Sequence, residues 1–168
     1  MSKELSAVCG LFCKGCTVYI ATTEDPERLD AIAGRFGVSA ETMACEGYRS
    51  ERRGPVCSNC EFVACAAEKG VDFCGQCSDY PCASLKTFAR ERPHRAELFA
   101  DIERIAAKGW QAWFNEKEVQ YSCRNCGVIN SAYDLSCRSC NTMPANDFVA
   151  QHQDDIRTHL KKIMKKEQ

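Results

Sequence analysis

The chain lacks any long run of apolar residues. No stretch approaches the roughly 20 consecutive apolar residues that a membrane-spanning helix needs. The opening segment, MSKELSAVCGLF, has none of the apolar character of a secretory signal. We therefore expect a cytoplasmic protein with no membrane association. Because thiols stay reduced in that compartment, we expect its cysteines to bind metal and not to form disulfides.

An excess of charge and the common catalytic motifs are also missing. With 22 basic and 23 acidic residues the formal net charge is −1, whereas nucleic-acid-binding domains usually carry a basic surface. The sequence contains no Ser/His/Asp order, no glycine-rich phosphate loop and no His-Glu-x2-His motif. His94, His152 and His159 lie at positions typical of packing or surface residues. These absences favour a protein that is not an enzyme.

Large apolar residues are sparse in the first ninety positions, where cysteine is frequent. The chain has 14 cysteines in 168 residues, a density typical of metal or disulfide scaffolds. A structural zinc ion contributes roughly 10–16 kcal/mol of apparent binding free energy, and a whole domain is stable by only about 5–15 kcal/mol. We therefore expect metal to decide whether the N-terminal half folds.

The clearest cysteine pattern is YSCRNCGVINSAYDLSCRSC, in which ten residues separate two Cys-x2-Cys pairs. Two such knuckles can enclose one tetrahedral ion. The spacing predicts a structural β zinc ribbon with the ligands Cys123, Cys126, Cys137 and Cys140. Rubredoxin-like iron uses the same geometry and is the alternative.

Ten further cysteines precede this pattern, and their pairing stays open. They are Cys9, Cys13, Cys16, Cys45, Cys57, Cys60, Cys65, Cys74, Cys77 and Cys82. Two segments, CSNCEFVAC and CGQCSDYPC, repeat the spacing Cys-x2-Cys-x4-Cys. Their knuckles, Cys57/Cys60 and Cys74/Cys77, are natural partners for one ion, and Cys13/Cys16 would take partners from the remaining thiols. At four ligands each, we predict about three zinc ions per chain.

The first cysteines allow two other interpretations. CGLFCKGC has the spacing that holds the iron–sulfur cluster of radical SAM enzymes, so a cluster at Cys9, Cys13 and Cys16 is an alternative to zinc. Gly15 stands where those enzymes usually have an aromatic residue, and no alternation of strands and helices follows. The second alternative is a thiol- or metal-dependent enzyme or redox sensor that uses an incomplete site, or a reactive thiolate such as Cys82 near a helix N-terminus.

The pattern outside the cysteines predicts an α-rich, metal-stabilised α+β protein. Asp25 and Gly37 bound a predicted helix over 25–36, and apolar residues at helical spacing predict another over 93–108. The predicted units are a Cys-rich metal-binding domain (1–92), a helical linker (93–118), the zinc ribbon (119–144) and a C-terminal helix (145–168).

The N-terminal motifs resemble an uncharacterised family filed as domain of unknown function thirty-seven ninety-five. The matching pieces are CGLFCKGC at 9–16, CEG at 45–47, CSNCEFVACAAEKGVDFCGQC at 57–77 and DYPCASLKTF at 79–88. The resemblance covers roughly residues 7–90 and implies zinc binding without an assigned reaction. The family usually has a cysteine where this chain has Tyr48, so a site that needs that cysteine is one thiolate short here.

Together these features predict a zinc-binding protein that acts as a protein- or nucleic-acid-interaction module. The identity of the partner and the oligomeric state do not follow from the sequence. Several arginines are candidates for phosphate contacts, although acidic residues are interspersed among them. They are Arg49, Arg52, Arg53, Arg124 and Arg138.

Overall fold

The computed structural model describes residues 3–165, and helices dominate this part of the chain. Its nine α-helices are Thr17–Glu24 (α1), Pro26–Phe36 (α2), Ala40–Met43 (α3), Pro55–Ser58 (α4), Glu61–Glu68 (α5), Ala83–Arg90 (α6), Leu98–Lys108 (α7), Trp110–Tyr121 (α8) and Asp147–Met164 (α9). Short 3-10 turns lie at Lys3–Leu5, Cys13–Gly15, Cys74–Gln76 and Pro93–Arg95. None of the helices described is long and apolar enough to cross a membrane.

Helix α2 begins and ends at the residues that the sequence predicts. The Asp25 carboxylate accepts a hydrogen bond from the Arg28 amide at 3.0 Å, and Pro26 occupies the first turn. Gly37 ends the helix with φ 66°, a left-handed conformation that glycine adopts without strain. The helix predicted over 25–36 is therefore confirmed.

The second predicted helix, 93–108, is divided. Residues Pro93–Arg95 form a 3-10 turn, and α7 begins only at Leu98. Gly109, with φ 81°, then separates α7 from α8, and these two helices pack against each other.

An aromatic core joins the two ends of the chain. Phe12 packs edge-on against Phe114 and Trp113, with ring centroids 5.1 and 6.2 Å apart. Tyr121 stacks on Phe148 of α9 at 5.1 Å. The N-terminal segment, α8 and α9 therefore share one hydrophobic cluster.

Two smaller clusters complete the interior. One contains Phe62 of α5, Leu85 of α6 and Ile102 of α7. The other lies among α1, α2 and α3 around Ala21, Ala33 and Met43. Helices of only four to eleven residues bury these side chains because each presents a short apolar face to the next.

The predicted β zinc ribbon, and with it the α+β fold class, is wrong. Residues 3–165 contain no β-strand, and the segment after α8 has a single antiparallel bridge, between Ser122 and Ile129. Its backbone hydrogen bonds are used in knuckle turns and by the buried Asn130 side chain, which leaves no ladder of paired amides to extend.

The predicted unit boundaries stay predictions. The helix expected over 145–168 is observed as α9, which Asn146 caps by accepting a hydrogen bond from the Val149 amide at 2.9 Å. The first two residues of the predicted domain 1–92 and residues 166–168 lie outside the described part of the chain.

Candidate metal centre

The first knuckle of the C-terminal pattern turns directly after α8. Cys123 closes the turn with two backbone hydrogen bonds: its carbonyl accepts from the Gly127 amide and its amide donates to the Val128 carbonyl, both at 2.9 Å. Gly127 has φ 74°, which favours glycine at this position.

The second knuckle repeats this geometry with a different residue. The Cys137 carbonyl accepts from the Asn141 amide at 2.9 Å, and the Cys137 amide donates to the Thr142 carbonyl at 2.8 Å. Asn141 takes the place of the glycine with φ 59°, and asparagine is among the residues that tolerate this conformation best. Both knuckles therefore present two thiols from the same kind of turn.

The two knuckles bring four thiols together with the separation that a tetrahedral ion requires. The sulfur atoms of Cys123, Cys126, Cys137 and Cys140 all lie within 4.8 Å of one another. The Cys123–Cys140 and Cys126–Cys137 sulfur distances are 3.7 and 3.6 Å. A tetrahedron with Zn–S bonds of about 2.3 Å has S–S edges of about 3.8 Å, so the donors fit one metal ion.

Hydrogen bonds to the sulfur atoms affect how readily the thiols of this centre become thiolates. The Asn125 amide donates to Cys123 Sγ at 3.4 Å and the Asn130 side chain donates to Cys137 Sγ at 3.5 Å. The Thr142 hydroxyl, followed by the Asn125 side chain, lowers the pKa of Cys140 to about 5. At Cys126 the Val128 amide lowers the pKa, but hydrogen bonds with the other three thiols and burial raise it to about 11 overall. The thiolate, which is the metal-binding form of cysteine, is therefore favoured at Cys140 and opposed at Cys126.

Asn130 is a supporting residue that the sequence pattern does not indicate. Its side chain is fully buried and donates to the carbonyls of Val128 and Ala145 at 2.8 and 3.3 Å. Its carbonyl oxygen accepts from the Arg138 amide at 2.9 Å. One side chain thus fixes both knuckles and the approach to α9, a role that only the folded arrangement reveals.

A second group of thiols lies between α1 and α4. Cys13 and Cys16 flank one 3-10 turn, and the Cys45 amide donates to the Thr22 hydroxyl of α1 at 3.0 Å. A hydrogen bond from the Cys57 side chain lowers the pKa of Cys45 to about 6 and raises the pKa of Cys57. Burial raises the pKa of Cys13 and Cys16, and the neighbouring thiols add to that effect.

A third group lines a cavity of about 30 Å³ between α5 and α6. The cysteines on its wall are Cys65, Cys74, Cys77 and Cys82. Burial, and then the nearby Cys82 and Cys65, raise the pKa of Cys74 to about 12. Cys82 precedes the first residue of α6 as its N-cap.

Cys9 and Cys60 belong to neither group. Cys9 is buried next to Cys74 and Cys60, and the Tyr48 hydroxyl donates to Cys60 Sγ at 3.1 Å. Cys57 lies close to Cys45, whereas Cys74 lies close to Cys82, Cys65, Cys77 and Cys60.

Within residues 3–165, the C-terminal set is the one group of three or more potential ligands whose donor atoms all lie within 4.8 Å. The sulfur atoms of Cys9, Cys13 and Cys16 do not meet this distance. All fourteen cysteines are free thiols.

The arginines that are candidates for phosphate contacts mostly contact other groups of the protein. Arg49 donates to the carbonyls of Ser6 and Asp72 at 2.8 and 2.5 Å, and Arg138 pairs with Glu24. Arg124 pairs with Asp147 at 2.6 Å. Arg52 pairs with Glu46 at 3.5 Å.

The remaining candidate, Arg53, has a buried Nε without a hydrogen-bond partner and lies close to Cys45. The histidines are also engaged: His94 bonds to the Tyr133 hydroxyl at 2.6 Å, and His159 stacks on the Tyr133 ring. His152 bonds to Glu97 at 2.9 Å.

Comparison with known proteins supports the N-terminal resemblance. Residues 5–87 match the model of a family described as a protein of unknown function, DUF3795. No curated protein and no solved structure matches the chain. The resemblance of the cysteine motifs is thereby confirmed, and the C-terminal metal centre lies beyond the matched residues.

Proposed function

We propose that this chain, which belongs to the DUF3795 family through residues 5–87, is a zinc-binding protein whose metal is structural. The observation that carries the proposal is the convergence of four thiols, from Cys123 to Cys140, at the separation of a tetrahedral site. Sulfur donors in this geometry select zinc or iron. Four protein ligands leave no coordination position for a substrate, so the ion acts as a cross-link.

The chain's own residues define what the cross-link does. Asn130 and Asn146 tie the knuckles to α9, since the Asn146 side-chain amide donates to the Asn130 backbone carbonyl at 3.2 Å. When bound, the metal would hold the two knuckle turns, 123–127 and 137–142, whose residues belong to none of the three hydrophobic clusters, whereas Ile129, Ala132, Tyr133 and Leu135 between them pack in the aromatic core. Because such ions contribute roughly 10–16 kcal/mol of apparent binding free energy, we expect residues 122–146 to lose this arrangement without metal.

The proposed role is that of an interaction module for another protein, located in the cytoplasm where thiols stay reduced. Nucleic acid is the less favoured partner because the net charge is −1 and four of the five candidate arginines have partners within the protein. We expect no binding of a fluorescent DNA or RNA duplex in an anisotropy titration at low salt. Tight, salt-dependent binding would contradict the choice of a protein partner.

The proposal includes a second zinc ion in the N-terminal half. Cys13, Cys16, Cys45 and Cys57 are neighbouring thiols that influence one another's pKa, and this proximity supports their assignment to one site. No three of their sulfur atoms lie within 4.8 Å of one another, so binding of the ion requires them to move closer together. The positive Arg53 close to Cys45 would offset part of the negative charge that four thiolates retain around one zinc ion.

Metal content per chain tests the proposal. We would purify the full chain without oxygen, measure zinc and iron by elemental analysis, and record a visible spectrum. The variant Cys137→Ser should lose about one zinc ion per chain, whereas Ser139→Ala, inside the same knuckle, should keep the wild-type content. Iron with inorganic sulfide, or equal zinc in Cys137→Ser, would contradict the proposal.

The second candidate function is thiol chemistry at Cys45. In its favour, the pKa of Cys45 is lowered to about 6, with the Cys57 side chain as the largest cause, and the positive Arg53 lies close by, as at activated thiols. Alkylation of the folded, zinc-loaded protein separates the two functions. Protection of Cys45 is expected for a zinc ligand, whereas rapid and selective labelling of Cys45 would favour the thiol function.

A further inference from the structure

The cavity between α5 and α6 has four thiols on its wall although they are spread over residues 65–82 of the sequence. Cys65 lies within α5, Cys74 and Cys77 flank a 3-10 turn, and Cys82 is the N-cap of α6. All four line a space of about 30 Å³, which is the share of liquid volume that one water molecule occupies.

Directly after the turn at Cys74–Gln76, a backbone amide donates a hydrogen bond to a cysteine sulfur, as one does in the C-terminal group of thiols. The Asp79 amide donates to Cys77 Sγ at 3.4 Å, and the Asn125 amide donates to Cys123 Sγ at the same distance. In both places the donor lies two residues after the cysteine. An amide directed at sulfur favours the thiolate that a metal requires.

The rest of the wall is suited to a thiolate-bound cation and to no polar small molecule. Phe62, Ala66, Val71 and Leu85 line it with apolar atoms. The Lys69 ammonium group, paired with Asp79 at 2.5 Å, also lines the cavity. Because Asp79 also lines the cavity, this ion pair is neutral as a unit. The N-terminus of α6 supplies partial positive charge near Cys82.

We propose that Cys65, Cys74, Cys77 and Cys82 bind a zinc ion at this cavity. No three of these four sulfur atoms lie within 4.8 Å of one another, so binding of the ion requires them to move toward one another. The ion joins α5 to α6 across the turn between them. This site stands independently of the C-terminal centre because the two share no ligand.

The assignment also leaves Cys60 outside the ligand set, although its Cys-x2-Cys knuckle predicts a metal ligand. Cys60 does not line the cavity, and its sulfur accepts a hydrogen bond from Tyr48. The ligand set is therefore formed by tertiary structure and crosses the two sequence repeats. With the two centres proposed above, the total is about three zinc ions per chain.

The test compares zinc content in the full-length protein and three single variants. Cys77→Ser should lose about one zinc ion per chain. In this variant Cys65 and Cys74 should also react with an alkylating reagent, which mass spectrometry detects. Cys60→Ser, the matched control from the neighbouring knuckle, should keep the wild-type zinc and the protection of all four thiols. Cys137→Ser should lose zinc while these four thiols stay protected.

Wild-type protein provides a second measurement that does not depend on folding of a variant. As a chelator removes zinc stepwise, Cys65, Cys74, Cys77 and Cys82 should become reactive together as one group. Unchanged zinc in Cys77→Ser, labelling of the four thiols at unrelated rates, or a disulfide between any two of them in the non-reduced protein would overturn the assignment. If Cys137→Ser still loses zinc in that case, the C-terminal centre stands and only this site fails.

Discussion

Lys117 is a buried cation whose removal should strongly destabilise the folded protein. Its ammonium group contacts the carboxylates of Glu97 and Asp101, both at 2.6 Å, and the Lys117 side chain is only 7% exposed to solvent. Replacing Lys117 with methionine keeps the length of the side chain but leaves two buried carboxylates without their cation. We expect a loss of about 3–5 kcal/mol in the free energy of unfolding, measured with urea.

A surface pair provides the comparison for this prediction. Arg104 and Glu116 lie 2.6 Å apart on α7 and α8, with side chains 41% and 45% exposed. Arg104→Met should cost less than about 1 kcal/mol because exposed ion pairs contribute little. Similar losses in the two variants would mean that burial around Lys117 does not determine the cost.

Asp101 should give the stability of the protein a measurable dependence on pH. Burial raises the pKa of its carboxyl to about 6, even though Lys117 acts in the opposite direction. The unfolded value is about 3.9, so the folded state binds more protons between about pH 4 and 6. The contribution of Asp101 is therefore complete below about pH 4 and is lost as the pH rises through about 6.

The variant Asp101→Asn isolates this contribution because an amide does not titrate. The stability of the wild type minus that of the variant should fall by at most about 3 kcal/mol between pH 4 and 7. Urea unfolding at a series of pH values measures it. A difference that stays constant or increases with pH would contradict the raised pKa.

Close packing of elements makes two glycines respond in opposite ways to the same substitution. A Cβ at Gly15 would meet the Tyr121 ring at 2.5 Å, where the Cys13–Gly15 turn packs on α8. Gly34 lies inside α2, and a Cβ there would meet no atom within 4 Å. We expect Gly15→Ala to destabilise the protein by about 1–3 kcal/mol and Gly34→Ala to stabilise it by about 0.5–1 kcal/mol.

Thermal unfolding of the two variants measures both effects. Each is the control for the other, because the chemical change is the same and only the surroundings differ. A stabilising Gly15→Ala would mean that the turn does not pack against Tyr121 as closely as the structure has it.

At the level of elements, local signals predict a helix well when both of its ends are marked. Asp25, Pro26 and Gly37 bound α2 as expected, since capping depends on neighbouring residues only. Helix α5, in contrast, begins at Glu61 without such a signal and carries Cys65 in its interior. No capping residue marks that start, because the N-cap is Cys60 without a side-chain hydrogen bond.

The incorrect β ribbon has a comparable cause. The cysteine spacing indicates knuckles, and a knuckle needs only a turn. Strands need a register of paired amides, and Asn130 takes up several of the backbone groups that such a register would use.

For the whole molecule, the candidate site is predictable where its ligands are close in sequence. Cys123 to Cys140 are two self-contained turns, so spacing alone identifies them. The neighbours of Cys13 include Cys9 and Cys16, which are close in sequence, and Cys45 and Cys57, which only the packing of the chain brings near it. The pairing of repeat knuckles therefore does not follow from sequence similarity between the repeats.

The proposed C-terminal metal centre should also stabilise the N-terminal segment, because contacts join the two. The Ala132 amide donates to the Gly15 carbonyl at 3.3 Å, and Arg28 of α2 pairs with Asp134 at 2.8 Å. We expect Cys137→Ser to accelerate amide hydrogen exchange in residues 13–28 as well as in 122–146. Arg124→Gln, at an exposed position in the first knuckle, should leave exchange in residues 13–28 unchanged. Faster exchange confined to 122–146 would instead mean that the segment folds as a unit of its own, as the predicted boundaries have it.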